Sequence, residues 1–231
     1  MRIGLVSDIH ANLPALEAVL DDMPSVDALV CAGDVIGYNP WPVECVRVVR
    51  EEADVVVQGN HDRVVETPER YAANRMAEAG LAYAKRHLSS EALEWLCQLP
   101  TETSVAGGRY RVVHSHPTRE DAYVYPGEFP NMARYLDDGE GLVLGHTHVQ
   151  GAERVEGHLV VNPGSVGQPR DGDPRAAYAV LDTEGDAGGS EATAEDAIDL
   201  RRVEYDVERV VEAVEDAGLP ERTGERLRGG E

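Results

Sequence analysis

The sequence predicts an α/β fold built on a parallel sheet whose strand ends carry the chemistry. Three observations support this expectation. Short apolar runs alternate with amphipathic helical stretches over the first sixty of 231 residues. Almost every apolar run ends in Asp, Asn or His. Beyond residue 100 the pattern changes to short strands divided by Gly and Pro turns.

The elements follow in order. Ile3-Gly4-Leu5-Val6 is a buried strand. Leu13, Leu16, Val19, Leu20 and Met23 recur at helical spacing, with Asn12 as N-cap. Ala28-Leu29-Val30-Cys31 is the second strand. Pro40 and Pro42 open a helix marked by Val43, Val46 and Val49, and Val55-Val56-Val57 is the third strand. A β-α-β-α-β order implies right-handed crossovers in a parallel sheet. Residues 64–99 read as helical, with a helix start at Ser90 and a stop at Pro100. Tyr110-Arg111-Val112-Val113, Gly141-Leu142-Val143-Leu144, His158-Leu159-Val160-Val161 and the run from Ala176 to Leu181 are short strands. Residues 183–196 read as an acidic, mobile surface loop, followed by a strand near 198–203. Asp206 caps a final helix over 206–218, and residues 222–231 are expected to fray. The whole chain, 1–231, reads as one domain.

Composition excludes several classes. There are 43 acidic residues against 21 Lys and Arg, a formal net charge of −22, and Lys85 is the only lysine. Such a chain repels nucleic acid and anionic membranes, so neither is expected as a partner. No apolar stretch is long enough to span a bilayer, and the N-terminus lacks a signal-peptide core. Cys31, Cys45 and Cys97 lie in apolar segments without metal-binding spacing, and read as reduced core residues of a cytoplasmic protein. The metal-competent acids account for only a few of the 43, so the excess belongs to the surface. Surface acid with almost no lysine resembles proteins of salt-accumulating halophiles.

The strand ends are the informative feature. They read Ser7-Asp8-Ile9-His10, Gly33-Asp34, Gly59-Asn60-His61-Asp62, His114-Ser115-His116 and Gly145-His146-Thr147-His148. Carboxyl ends of strands in α/β sheets are where ligands bind. On extended backbone, Asp8 with His10 and His146 with His148 would each project from one face. A single Asp-x-His or His-x-His pair is weak evidence, and five such segments on successive strand ends are far stronger. Asp8, His10, Asp34, Asn60, His114, His146 and His148 offer seven N and O donors, too many for one ion. The set suits two divalent ions sharing a carboxylate, roughly 3.5–4 Å apart. The absence of Cys among the donors argues against structural zinc.

In this order the segments resemble the calcineurin-like metallophosphoesterase superfamily, with its pattern DxH, GD, GNH(D/E), a lone H and GHxH, over residues 1–182. The phrases Asp34-Val35-Ile36-Gly37-Tyr38-Asn39-Pro40 and Asn162-Pro163-Gly164-Ser165-Val166-Gly167 are similar to the small prokaryotic branch related to YfcE-type phosphodiesterases. The resemblance implies a four-layer α/β/β/α sandwich of two mixed sheets flanked by helices. It implies that Asp8, His10 and His148 hold one metal, that Asn60, His114 and His146 hold the other, and that Asp34 bridges both. His61 would be the general acid, oriented by Asp62. The lone family histidine is assigned to His114, which directly follows its strand, leaving His116 as a neighbouring or substrate contact. Arg63 and Arg170, with Tyr38 and Asn39 nearby, are candidate phosphate clamps.

The expected activity is hydrolysis of a small phosphodiester by a metal-activated hydroxide, with Mn²⁺ as the first choice of ion and Fe, Ni²⁺ or Zn²⁺ as alternatives. A catalytically silent interaction scaffold and a nuclease are the alternatives. His at position 61 favours chemistry over the scaffold, and the acidic composition opposes the nuclease.

Overall fold

The computed structural model describes residues 1–187 and 193–231. A first sheet contains β1 (Arg2–Val6), β2 (Ala28–Cys31), β3 (Val55–Val56), β9 (Ala176–Asp182) and β10 (Ile198–Val203), in the order β10-β9-β1-β2-β3. Its β1, β2 and β3 strands are parallel, while β9 and β10 join antiparallel. A second sheet contains β4 (Glu102–Val105), β5 (Tyr110–Val113), β6 (Gly141–Val143), β7 (Gly151–Val155) and β8 (His158–Asn162), in the order β4-β5-β6-β8-β7. Here β5, β6 and β8 are parallel and the two edge strands antiparallel.

Period-two alternation explains how the sheets stack. Ile3 and Leu5 point to one side of β1 and join Val30, Tyr110, Val112, Val143 and Val161 in the core between the sheets. Val6 points the other way, into a core shared with the helices. That outer layer is α1 (Leu13–Asp22), α2 (Pro42–Glu52), α4 (Arg75–His87) and α5 (Ser90–Gln98), with the short α3 (Asn60–Arg63) at the end of β3. Burying each such Val, Leu or Ile contributes about 1.5–3 kcal/mol. The outer face of the second sheet is covered by 3₁₀ turns at Pro126–Asn131 and Ala133–Tyr135, which seat Phe129 and Met132 on Leu142 and Val160. Pro126, Gly127 and Pro130 prevent a regular α-helix there.

Several expectations are corrected. The strands β4 and β7 escape the sequence pattern, because both are edge strands with polar, partly exposed residues. The C-terminal segment does not fray. After α6 (Val207–Asp216), α7 (Arg222–Glu225) and a 3₁₀ turn at Arg226–Arg228 bury Leu227 against Val210 and Val214. The Gly172 amide also donates to the Gly230 carbonyl (2.9 Å). Cys97 is exposed rather than in the core, whereas Cys31 and Cys45 are buried. Part of the acidic loop, residues 188–192, lies outside the described residues. Its described start is anchored, since Asp186 accepts from Arg109 (3.0 Å), Arg154 (2.5 Å) and the Tyr110 hydroxyl (2.5 Å). Among the described residues, no helix is long and apolar enough to cross a membrane.

Candidate metal centre and active site

The five polar segments converge where the carboxyl ends of both sheets meet. They do so on strained backbone. Asp8, His10, Asp34, His146 and His148 all have left-handed φ, between 48° and 68°, as do Ala11 and Tyr38. The extended geometry expected for Asp8 with His10, and for His146 with His148, is therefore replaced by tight turns. Each such residue costs on the order of 1–3 kcal/mol, held by surrounding structure. Here the Asp8 amide donates to the Gly33 carbonyl (2.9 Å) and the His10 amide to the Asp34 carbonyl (3.0 Å). Ser165 Oγ donates to the Asp8 carbonyl (2.7 Å). Two glycines permit the close approach: a Cβ on Gly59 would lie 2.0 Å from Asp34 Oδ1, and one on Gly145 would lie 2.1 Å from Ser7 Oγ.

Asp8, His10 and His148 form one buried donor group, and Asp8, Asp34 and His114 another. His10 Nε2 lies 3.1 Å from His148 Nε2, 3.7 Å from Asp8 Oδ1 and 3.6 Å from Asp34 Oδ2. Asp34 Oδ2 is also 3.4 Å from His114 Nε2, so one carboxylate oxygen faces both groups. His114 Nε2 lies 3.0 Å from Asn60 Oδ1, and Asn60 Nδ2 donates to the Tyr71 hydroxyl. His146 stands outside these groups: its Nε2 donates to the Asp121 carbonyl (3.1 Å), which leaves Nδ1 as its free lone pair.

The tautomers are set by neighbours. His10 Nδ1 donates to the Ile36 carbonyl (3.1 Å), His114 Nδ1 to the Ala32 carbonyl (2.7 Å) and His148 Nδ1 to the Gln168 carbonyl (2.5 Å). With Nδ1 fixed in this way, each ring turns Nε2 inward, the arrangement that orients metal-binding histidines. Asp8 Oδ1 is buried and accepts no hydrogen bond. An orphaned carboxylate oxygen beside two facing imidazole lone pairs fits a divalent cation with N and O preferences.

Electrostatics separate the groups. Burial opposes ionisation of Asp8 and Asp34, yet the surrounding imidazoles, His148 for Asp8 and His114 for Asp34, hold both below the usual carboxylate range. Burial pushes His10 and His148 below the usual imidazole value. Burial would lower His114 too, but the Asp34 carboxylate outweighs it and holds the ring up at about 10. Burial, with His114 nearby, takes His146 down to about 4.

His61 packs between Tyr38 and Tyr71, with both centroids 4.9 Å away, and edge-on to His10 at 4.7 Å. It lies in one group with His10 and Asp34, and burial takes it down to about 4. Asp62 does not reach the His61 ring. Its carboxylate accepts from the backbone amides of Asp34 (2.8 Å), Val35 (3.0 Å) and Gly59 (3.0 Å), so it ties the two loops together. Burial and the Asp34 charge push Asp62 up to about 7.

Among the candidate clamps, Arg170 has, among the described residues, only neutral side-chain partners, the Tyr38 hydroxyl (3.2 Å) and Gln168 Oε1 (2.7 Å). Arg63 is paired with Asp121 (2.7 Å) and Glu120 (3.2 Å), which leaves it less free for phosphate. Asn39 donates to the His10 carbonyl (2.9 Å) and supports the loop. His116 Nδ1 accepts from the Thr118 amide (3.1 Å), and His116 lines a cavity of about 250 Å³ together with Asn60 and His114. Tyr71, Tyr123 and Gln168 escaped the sequence reading. None sits in a metal-binding pattern, and only the fold brings them to the centre.

Fold and site together define a phosphoesterase. Residues 1–186 match the calcineurin-like phosphoesterase superfamily domain, and the chain belongs to that family, a phosphoric ester hydrolase by class. It is 33% identical to the protein MJ0912 of Methanocaldococcus jannaschii over an aligned length of 249, covering 97% of this chain and 96% of that one. It is 28% identical to phosphodiesterase YfcE of Escherichia coli over 197 residues, 80% of this chain and 89% of that one. The crystal structure of a metallophosphoesterase from Sphaerobacter thermophilus matches with a TM-score of 0.82 and 34% identity, over 100% of each chain.

Proposed function

We propose that the protein is a dinuclear, divalent-metal-dependent phosphodiesterase of small substrates. The observation that supports this most is Asp34 Oδ2, set between His10 Nε2 (3.6 Å) and His114 Nε2 (3.4 Å). One ion would be held by Asp8, His10 and His148, the other by Asn60, His114 and His146, with Asp34 common to both. Ions held there supply Lewis acidity towards phosphoryl oxygens and lower the pKa of water. Mn²⁺ is the proposed working ion, with Fe, Ni²⁺ and Zn²⁺ suited to the same donors.

The remaining roles belong to the chain itself. His61 donates a proton to the leaving oxygen. Burial keeps its ring neutral in the free protein, and an anionic ester bound beside it favours the protonated form. Asp62 acts as a positioning residue, since its bonds run to the amides that shape the Asp34 and Gly59 turns. Arg170, paired to neutral groups only, anchors a non-bridging phosphate oxygen.

Hydrolysis of bis(p-nitrophenyl) phosphate with added Mn²⁺ tests this reading. His61→Ala should keep its metal content while turnover falls by about 10²–10⁴-fold. Full activity in that variant on an ester with an unactivated leaving group would remove His61 from proton transfer. Wild-type protein inactive with every metal tried would return the fold to the scaffold reading.

A further inference from the structure

Two tyrosines stand beside the candidate centre without a part in the chemistry above. The Tyr123 ring lies flat on His146, with centroids 4.3 Å apart and planes 18° from parallel. Tyr125 stacks on Tyr123 at 5.8 Å and 15°. The three rings make a nearly parallel ladder that starts at a candidate metal ligand. Tyr123 is 47% exposed and Tyr125 46%, placing both among the most exposed large apolar side chains described.

The ladder is built, not incidental. Val124, between the two tyrosines, is buried with Phe129, Met132 and Leu144. This is the alternation of extended chain, which sets residues 123 and 125 on one face and pins them through the residue between. The Tyr125 amide donates to the Glu128 carboxylate (3.1 Å), and Pro126 stiffens the next step of the chain.

Holding His146 in place does not account for the pair. The Asp121 carbonyl already fixes that ring through Nε2 (3.1 Å). Tyr125 stacks on Tyr123, one step further out. Tyr123 is sandwiched between His146 and Tyr125, so the free π-face of the ladder is the outer face of Tyr125, and a rigid, half-exposed ring face leading away from a phosphate-binding centre matches an uncharged flat ring attached to that phosphate. A surface with a net charge of −22 repels a polyanion, whereas stacking on a neutral base is insensitive to that charge.

On the phosphodiesterase reading above, we propose that Tyr123 and Tyr125 form a stacking platform for a nucleobase, which selects nucleoside phosphodiesters over alkyl ones. The test compares binding of adenosine monophosphate and ribose 5-phosphate to the metal-loaded protein by calorimetry. The two probes share a phosphate and differ by the base. Base stacking on an aromatic residue corresponds to roughly 5- to 150-fold in affinity. Adenosine monophosphate should therefore bind at least about fivefold more tightly. Tyr125→Ala, which removes the free face, should bring the two affinities within about twofold, and Tyr123→Ala, which removes the ring supporting it, should remove part of the difference. Metal content measured in each variant separates loss of the platform from loss of His146. If Tyr123→Ala fails to fold, Tyr125→Ala still reads the ratio. Equal affinities in the wild type, or an unchanged ratio in the folded variants, overturns the platform. A nucleotide preference without hydrolysis of any diester overturns the phosphodiesterase reading instead.

Discussion

On the dinuclear reading proposed above, the Asp8, His10 and His148 half of the centre is closed, whereas the Asn60, His114 and His146 half opens on one side. Asp8 and His10 are fully buried and their donor atoms already face each other. The other half borders the cavity of about 250 Å³ and carries the tyrosine ladder on His146. The protonation also differs. His10 and His148 are lowered by burial and stay neutral, but His114 is held up at about 10 by Asp34. In the metal-free protein a proton on His114 Nε2 thus lies between Asp34 Oδ2 and Asn60 Oδ1, where an ion would sit. On that reading the closed half would be preorganised for a cation, and the open half would exchange a proton for one. Openness on that side is also what a substrate needs.

Breaking the residue common to both halves should have the largest effect. Asp34→Asn keeps the side chain's shape and its Oδ1 acceptor for the His61 amide, but removes the charge that faces His10 and His114. Both ions should be lost and turnover should fall by on the order of 10³-fold or more. Elemental analysis showing two ions retained would refute the bridging role.

Breaking each half separately should be smaller and unequal. His148→Ala removes a ligand from the closed half and uncovers buried Asp8, so it should lose metal and also lower the melting temperature. His146→Ala acts on the more exposed residue, so it should weaken only one ion, with little change in melting. Equal losses in the two variants would mean that the halves are not distinct sites.

The smallest effect sharpens the protonation contrast. The His114 pKa is raised above its ordinary value, so its proton is present at neutral pH and must leave when a metal binds. Affinity at the open half should therefore tighten about tenfold per pH unit from pH 7 towards 9, with about one proton released. Affinity at the closed half should stay flat over the same range, because His10 and His148 are already neutral. Calorimetry in buffers of different ionisation enthalpy counts the proton, and a count of zero for both ions would sink the contrast.

Much of this was legible in the sequence because the proposed ligands sit at strand ends, and strand ends show as sharp switches from apolar to polar residues. Asp8, Asp34, Asn60, His114 and His146 each follow such a switch directly or within two residues. The left-handed turns at Asp8 and His146 were not legible. Neither is a glycine, and their strain is held only by distant partners such as Ser165. Asp62 illustrates the same limit. Its neighbour in sequence is His61, but, apart from the local Gly59 amide, its hydrogen bonds run to amides of a loop 26 to 28 residues away.

The sequence by itself determined the family and most of the strands and helices, and it supplied the proposed donor set, because periodicity and local motifs are properties of neighbouring residues. Only the tertiary structure decided which nitrogen each histidine turns inward, which half of the centre is open, and that Tyr123 and Tyr125 lie against His146. Those depend on carbonyls, carboxylates and rings brought together across two sheets, where burial and charge act over space rather than along the chain.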